Sequence, residues 1–130
     1  MVKNKLSELS ITLAIEVVRY CKWLMNEKRE YIMSKQLLRS GTSVGANVHE
    51  ANYASSRADF INKLQIALKE ASETEYWLTV LQGTDNFSER FSELPILCSS
   101  MLRLLTASLN TAKEHQFQQR IDHREKKGEC

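Results

Sequence analysis

Three histidines, three cysteines and one glycine-bearing run are the parts of this chain that could carry chemistry. A di-metal site inside helices needs Glu-x-x-His pairs, because that spacing projects a carboxylate and an imidazole together from one helix face. The residue three before His49 is Ala46, before His115 it is Ala112, and before His123 it is Arg120. The pairs are absent. His49 and Glu50 are adjacent and leave a helix in different directions, so they do not make an H-E-x-x-H zinc motif. Ser40-Gly-Thr-Ser-Val-Gly45 is glycine-rich but lacks the Lys-Ser/Thr ending of a phosphate loop and follows no strand. Cys21, Cys98 and Cys130 are odd in number and have no C-x-x-C spacing, which argues against a disulfide framework or a zinc site. Cys21 and Cys98 read as small core hydrophobes. No nucleophile stands beside a base with a third, orienting group. The expectation is a protein that is no enzyme, holds no metal or cofactor, and has no small-molecule substrate.

The scaffold is expected to be helical. The chain has 130 residues, 42% of them hydrophobic and 26% charged, enough for one packed core. Four glycines and one proline leave long uninterrupted elements. The N-terminus has no apolar signal region, and no run of 18 apolar residues exists, so a cytoplasmic protein without a membrane segment is expected.

The first helix is expected from about Lys5 to Met25. Leu6, Leu9, Leu13, Val17, Tyr20 and Leu24 form its stripe, widened by Ala14, Val18, Cys21 and Met25. Asn26 to Glu30 reads as a short charged connection. The second helix is expected from about Tyr31 to Tyr53, with Leu37, Gly41, Val44, Val48 and Ala51 at spacings of 4, 3, 4 and 3. Its centre is made of poor helix formers, each glycine costing about 1 kcal/mol relative to alanine. Close packing against another backbone is the expected compensation. Arg39, Ser43, Asn47 and Glu50 form a polar strip beside that seam.

Ser56 followed by Asp59 is a helix-start signal. The third helix is expected from Arg57 to Gln82, with the seam Phe60, Leu64, Ala67, Ala71, Thr74, Leu78 and Leu81. A second apolar stripe, Ile66, Trp77 and Val80, lies about 110° round the helix. One four-helix core does not need both stripes, which points to contact with another subunit. Gly83 ends this helix. Phe87 to Phe91 is a short helical entry, and Ser92-Glu-Leu-Pro95 starts the fourth helix. That helix carries Leu94, Leu97, Met101, Leu104 and Ser108, with Cys98, Leu102, Leu105, Leu109 and Ala112 beside them. It is expected to fray near Glu114 to Gln119. Residues 1–119 then form the bundle, and residues 120–130 a mobile charged tail. Four amphipathic helices with short connections make an all-α, antiparallel up-down-up-down four-helix bundle the expected architecture.

The net charge is +2, and residues 71–95 carry one basic and five acidic groups. Arg57, Lys63, Lys69, Arg120, Arg124, Lys126 and Lys127 are the candidate contacts for nucleic acid. Acidic residues interleave with them, so folding or a ring-shaped oligomer would have to gather them.

The run from Gln36 to Ala51, then Ser56-Arg-Ala-Asp-Phe60, Lys63-Leu-Gln-Ile-Ala-Leu-Lys-Glu-Ala71 and Glu73-Thr-Glu-Tyr-Trp-Leu78, resembles the four-helix-bundle proteins encoded in intervening sequences of bacterial 23S rRNA genes. Ser43, Asn47, Glu50, Phe60, Ile66, Ala67 and Glu73 fall in that family's order. Many members have glycine after the glutamate, where this chain has Ala51. The resemblance implies a homopentameric, barrel-like assembly. It also implies a fold similar to the accessory protein of diversity-generating retroelements, which works with nucleic acid and a reverse transcriptase. It implies no catalytic residues. The leading expectation is a self-assembling, non-enzymatic bundle with contact to RNA or DNA. Arg39, Ser43, Asn47, Glu50, Ile66, Glu73 and Trp77 are its candidate interface or polar network. The alternatives are an accessory protein of a ribonucleoprotein or retroelement and, third, a metal or small-molecule enzyme.

Overall fold

The computed structural model describes residues 5–128. Its helices are α1 (Lys5–Asn26), α2 (Met33–Ala51), α3 (Arg57–Gln82) and α4 (Glu93–Gly128), with a 3₁₀ turn at Glu89–Phe91 before α4. Each helix packs on its sequence neighbours, α2 against α3 most extensively. A thinner contact between α4 and α1 closes the square. This is the expected antiparallel four-helix bundle.

The core follows the helical periods. Leu13, Val17, Tyr20, Cys21 and Leu24 of α1 are wholly buried. All five seam residues of α2 are buried, Leu37, Gly41, Val44, Val48 and Ala51. On α3 the seam holds from Leu64 to Leu81, but its first buried member is Ile61 and Phe60 is half-buried. On α4 the buried line is Leu94, Cys98, Met101, Leu105, Leu109 and Ala112. It draws on both expected stripes, leaving Leu97, Leu104 and Ser108 at the margin. Burial pushes the Cys21 thiol up to about 12, and likewise that of Cys98, so both stay protonated core groups. Cys130 lies outside the described residues.

Each helix end has a local cause. Ser56 accepts from the Asp59 amide at 3.0 Å and caps α3 as expected. Gly83 ends α3 at φ −80° and ψ −5°, so this C-cap makes no use of a left-handed glycine. α2 is two residues shorter at each end than expected. At its start Glu30 acts as the cap: its carboxylate accepts from the amides of Ile32, Met33 and Ser34 at 3.2, 3.1 and 2.7 Å. At its end the amides of Asn52, Tyr53 and Ala54 turn back to the carbonyls of His49, Glu50 and Ala51, a 3₁₀-type tightening.

The largest departure is α4. The fraying expected near Glu114 is not seen, and the helix continues to Gly128. Ala112 is its last buried residue, so about 16 residues project beyond the core, roughly 24 Å at 1.5 Å per residue. Gln, Glu, Lys and Arg are good helix formers, and a Gln118–Asp122 pair at 3.0 Å supports this stretch.

Candidate functional site: a polar seam along the second and third helices

The seam begins with close packing. A Cβ added at Gly41 would meet both γ-carbons of Val17 at 2.7 Å, and one added at Gly45 would meet the Ser10 carbonyl oxygen at 3.3 Å. The poor helix formers of α2 therefore let α1 approach. On the α3 side, the hydroxyls of Ser40 and Thr74 are buried and lie 2.9 Å apart. Thr74 also donates to the Glu70 carbonyl at 2.8 Å.

Outside this buried pair the polar strip is engaged within the chain. The Arg39 guanidinium bridges α2 to α3, bonding Glu70 at 3.0 Å and Glu73 by its other terminal nitrogen. The indole N–H of Trp77 donates to the same Glu73 carboxylate at 3.1 Å. About two turns back along α3 and three turns on along α2, Lys63 pairs with Glu50 at 2.9 Å. Asn47 donates to the Ser43 carbonyl at 2.9 Å, and Ser43 and Ile66 are half-buried between the two ion pairs. The structure thus brings together Arg39, Glu73 and Trp77, and separately Glu50 with Lys63. Glu70 is the member that the sequence reading missed. Its signal was its place one turn before Glu73 on the same helix flank.

The Arg39 guanidinium, followed by the Trp77 indole N–H, holds the Glu73 carboxyl below the usual carboxylate range. A depressed folded-state pKa adds stability that is present above the unfolded pKa and lost as pH falls through the folded one. The groups are partly exposed, so this contribution is about 0.5 kcal/mol or less. A carboxyl NMR titration is expected to place the Glu73 midpoint below that of a model glutamate. Arg39→Ala is expected to move it back up, and an unmoved midpoint would show that Arg39 is not the cause.

The basic candidates do not form one patch. Lys63 is engaged by Glu50, and Lys69 is exposed one turn before Glu73, whose carboxylate it attracts. The Arg57 guanidinium stands 5.9 Å from the centre of the Phe60 ring and lines an open groove with His115 of α4. Arg120, Arg124, Lys126 and Lys127 are all exposed on the α4 extension. There the helix imposes an order invisible in an aperiodic tail. Lys113, Arg120, Arg124 and Lys127, spaced 7, 4 and 3, fall on one face, while Glu114 and Glu125 fall away from it.

Among the described residues no group of three or more His, Cys, Asp or Glu side chains could hold a metal ion. Among them, too, no helix is long and apolar enough to cross a membrane.

A four-helix bundle whose polar residues tie α2 to α3 defines a scaffold class rather than a reaction. The model of the 23S rRNA-intervening sequence protein family matches residues 3–107, and this chain belongs to that family. A solved protein of unknown function from the S23 ribosomal protein family of Bacteroides thetaiotaomicron VPI-5482 is 48% identical to it. That likeness covers 80% of this chain and 97% of that one, with a TM-score of 0.77. No curated protein matches. The matched span stops at residue 107, so the projecting part of α4 lies beyond it.

Proposed function

We propose that this chain is a non-enzymatic, self-assembling protein of the cytoplasm that forms a homopentamer. The observation that carries the reading is the second stripe of α3. Ile66, Trp77 and Val80 are only half-buried within the chain, and Tyr76 beside them is 59% exposed. Large apolar side chains left in this state at regular spacing fit a subunit contact. The free, buried thiols of Cys21 and Cys98 fit a reducing compartment. Native mass spectrometry at micromolar concentration is expected to find five times the 15.0 kDa chain mass. A clean monomer would overturn the proposal.

The α4 extension favours a second reading, contact with RNA or DNA. One helical face carrying Lys113, Arg120, Arg124 and Lys127 suits a phosphate backbone, and such binding is sequence-indifferent and salt-sensitive. Binding is expected at about 50 mM salt and is expected to fall at least tenfold by about 200 mM. Arg120→Glu with Arg124→Glu should abolish it without changing the assembly mass. No binding at low salt would remove this reading. Metal or small-molecule catalysis, the third alternative, would be revived by stoichiometric metal in the purified protein.

A further inference from the structure

The outward side of α1 is only partly covered by the described residues. Ile11 and Ile15 are 59% and 47% exposed, and Val18 and Met25 are half-buried. With Lys22 they make a stripe at 11, 15, 18, 22 and 25, spaced 4, 3, 4 and 3. The outward stripe of α3 is Ile66, Glu70, Glu73, Trp77 and Val80, with the same spacing. The two helices run in the same direction, and just past their ends at Asn26 and Gln82 the Lys28 ammonium pairs with Asp85 at 3.8 Å. Counted back from those ends, each α1 residue is one residue nearer its helix end than its α3 counterpart, about 1.5 Å of rise, so the two stripes lie at similar heights.

We infer that the α1 stripe of one subunit packs on the α3 stripe of the next copy of this chain. The inference rests on the self-assembly proposed above and names the surfaces that make it. At equal heights, Ile11 meets Ile66 of a second copy and Met25 meets its Val80. Lys22 reaches the Trp77 ring and the Glu73 carboxylate, a cation–π contact and an ion pair. Along that stripe the one Arg39 guanidinium pairs with both Glu70 and Glu73, and the exposed Lys69, one turn before Glu73, adds only a longer-range attraction to it. Lys22 supplies a cation that can bond these carboxylates directly. The two stripes differ, so the contact is head-to-tail and does not pair a surface with itself. By helix geometry they point roughly 90° apart around the bundle axis, sharing the α2 side. Head-to-tail surfaces at such an angle close a ring; four subunits need about 90° and five about 108°.

Ile11→Cys combined with Ile66→Cys, in a Cys130→Ser background, tests the contact with a short bismaleimide. The native thiols of Cys21 and Cys98 are buried and should not react. The expected result is a ladder of cross-linked chains rising to the full ring, absent from either single cysteine variant. Ile15→Glu, at an exposed position, is expected to cut the assembly mass fivefold while leaving helicity unchanged. Wild-type assembly with no ladder would overturn these surfaces and leave self-assembly standing. A dimer from the Ile11→Cys variant alone would also overturn them, because it requires α1 to meet α1. A monomeric wild-type chain would overturn both proposals.

Discussion

Gly41→Leu is expected to destabilise the bundle by about 3 kcal/mol, the upper part of the usual range for overpacking a filled core. Two effects compete at this position. Removing a glycine from a helix interior favours folding by about 1 kcal/mol. Against that, even the first added carbon would lie 2.7 Å from both γ-carbons of Val17 and 3.1 Å from its β-carbon. The β-carbon is fixed to the backbone, so rotating the valine side chain does not relieve the clash, and α1 and α2 must part. The loss therefore outweighs the propensity gain. Chemical denaturation of the variant measures it. Val17→Ala in the Gly41→Leu background should recover part of the loss, since it deletes the two γ-carbons that clash most closely. The double variant should then be more stable than the sum of the single effects allows. An unchanged midpoint for Gly41→Leu would show that the close approach is wrong.

Glu30→Ala is expected to remove about 1–2 kcal/mol and lower Tm by about 4–8 °C. Its carboxylate satisfies three amides at the start of α2, and those of Met33 and Ser34 are partly buried. Without it these donors have no intrahelical acceptor, and a negative charge is lost from the positive end of the helix. Glu30→Gln keeps one acceptor oxygen and should fall between the two. Glu27→Ala, at an exposed position of the same loop, should leave Tm unchanged. Equal effects from Glu27→Ala and Glu30→Ala would remove the special role of Glu30.

The two predictions differ in how far the sequence led to them. Gly41 sits on a heptad line, so its packed position follows from spacing alone. Glu30 sits in a charged run without periodicity, and only the path of the chain from α1 into α2 turns its carboxylate onto the amides. The same contrast runs through the fold. α3 was readable to the residue because Ser56 and Asp59 mark its start by local bonding. The end of α4 was not readable, because its last turns have no apolar period and are held by propensity and local side-chain pairs. The candidate site was half legible. Arg39, Glu73 and Trp77 were visible as polar or apolar stripes, but their meeting depends on the rotation of α2 against α3, which no single helix encodes. Ile11 and Ile15 carry no signal of their own in the sequence, because the core stripe of α1 is complete without them.

The length of α4 beyond Ala112 bears on how protection from solvent is distributed. Beyond Ala112 no described residue is buried, so the helix opens from its far end turn by turn, with little packing to make the opening cooperative. Amide exchange should therefore slow steadily from Gly128 back towards Ala112, whereas α2 and α3, packed along their length, should be protected more evenly. A bound polyanion would grip several turns at once and flatten that gradient. The slope of exchange along one helix thus reports whether the extension is in use.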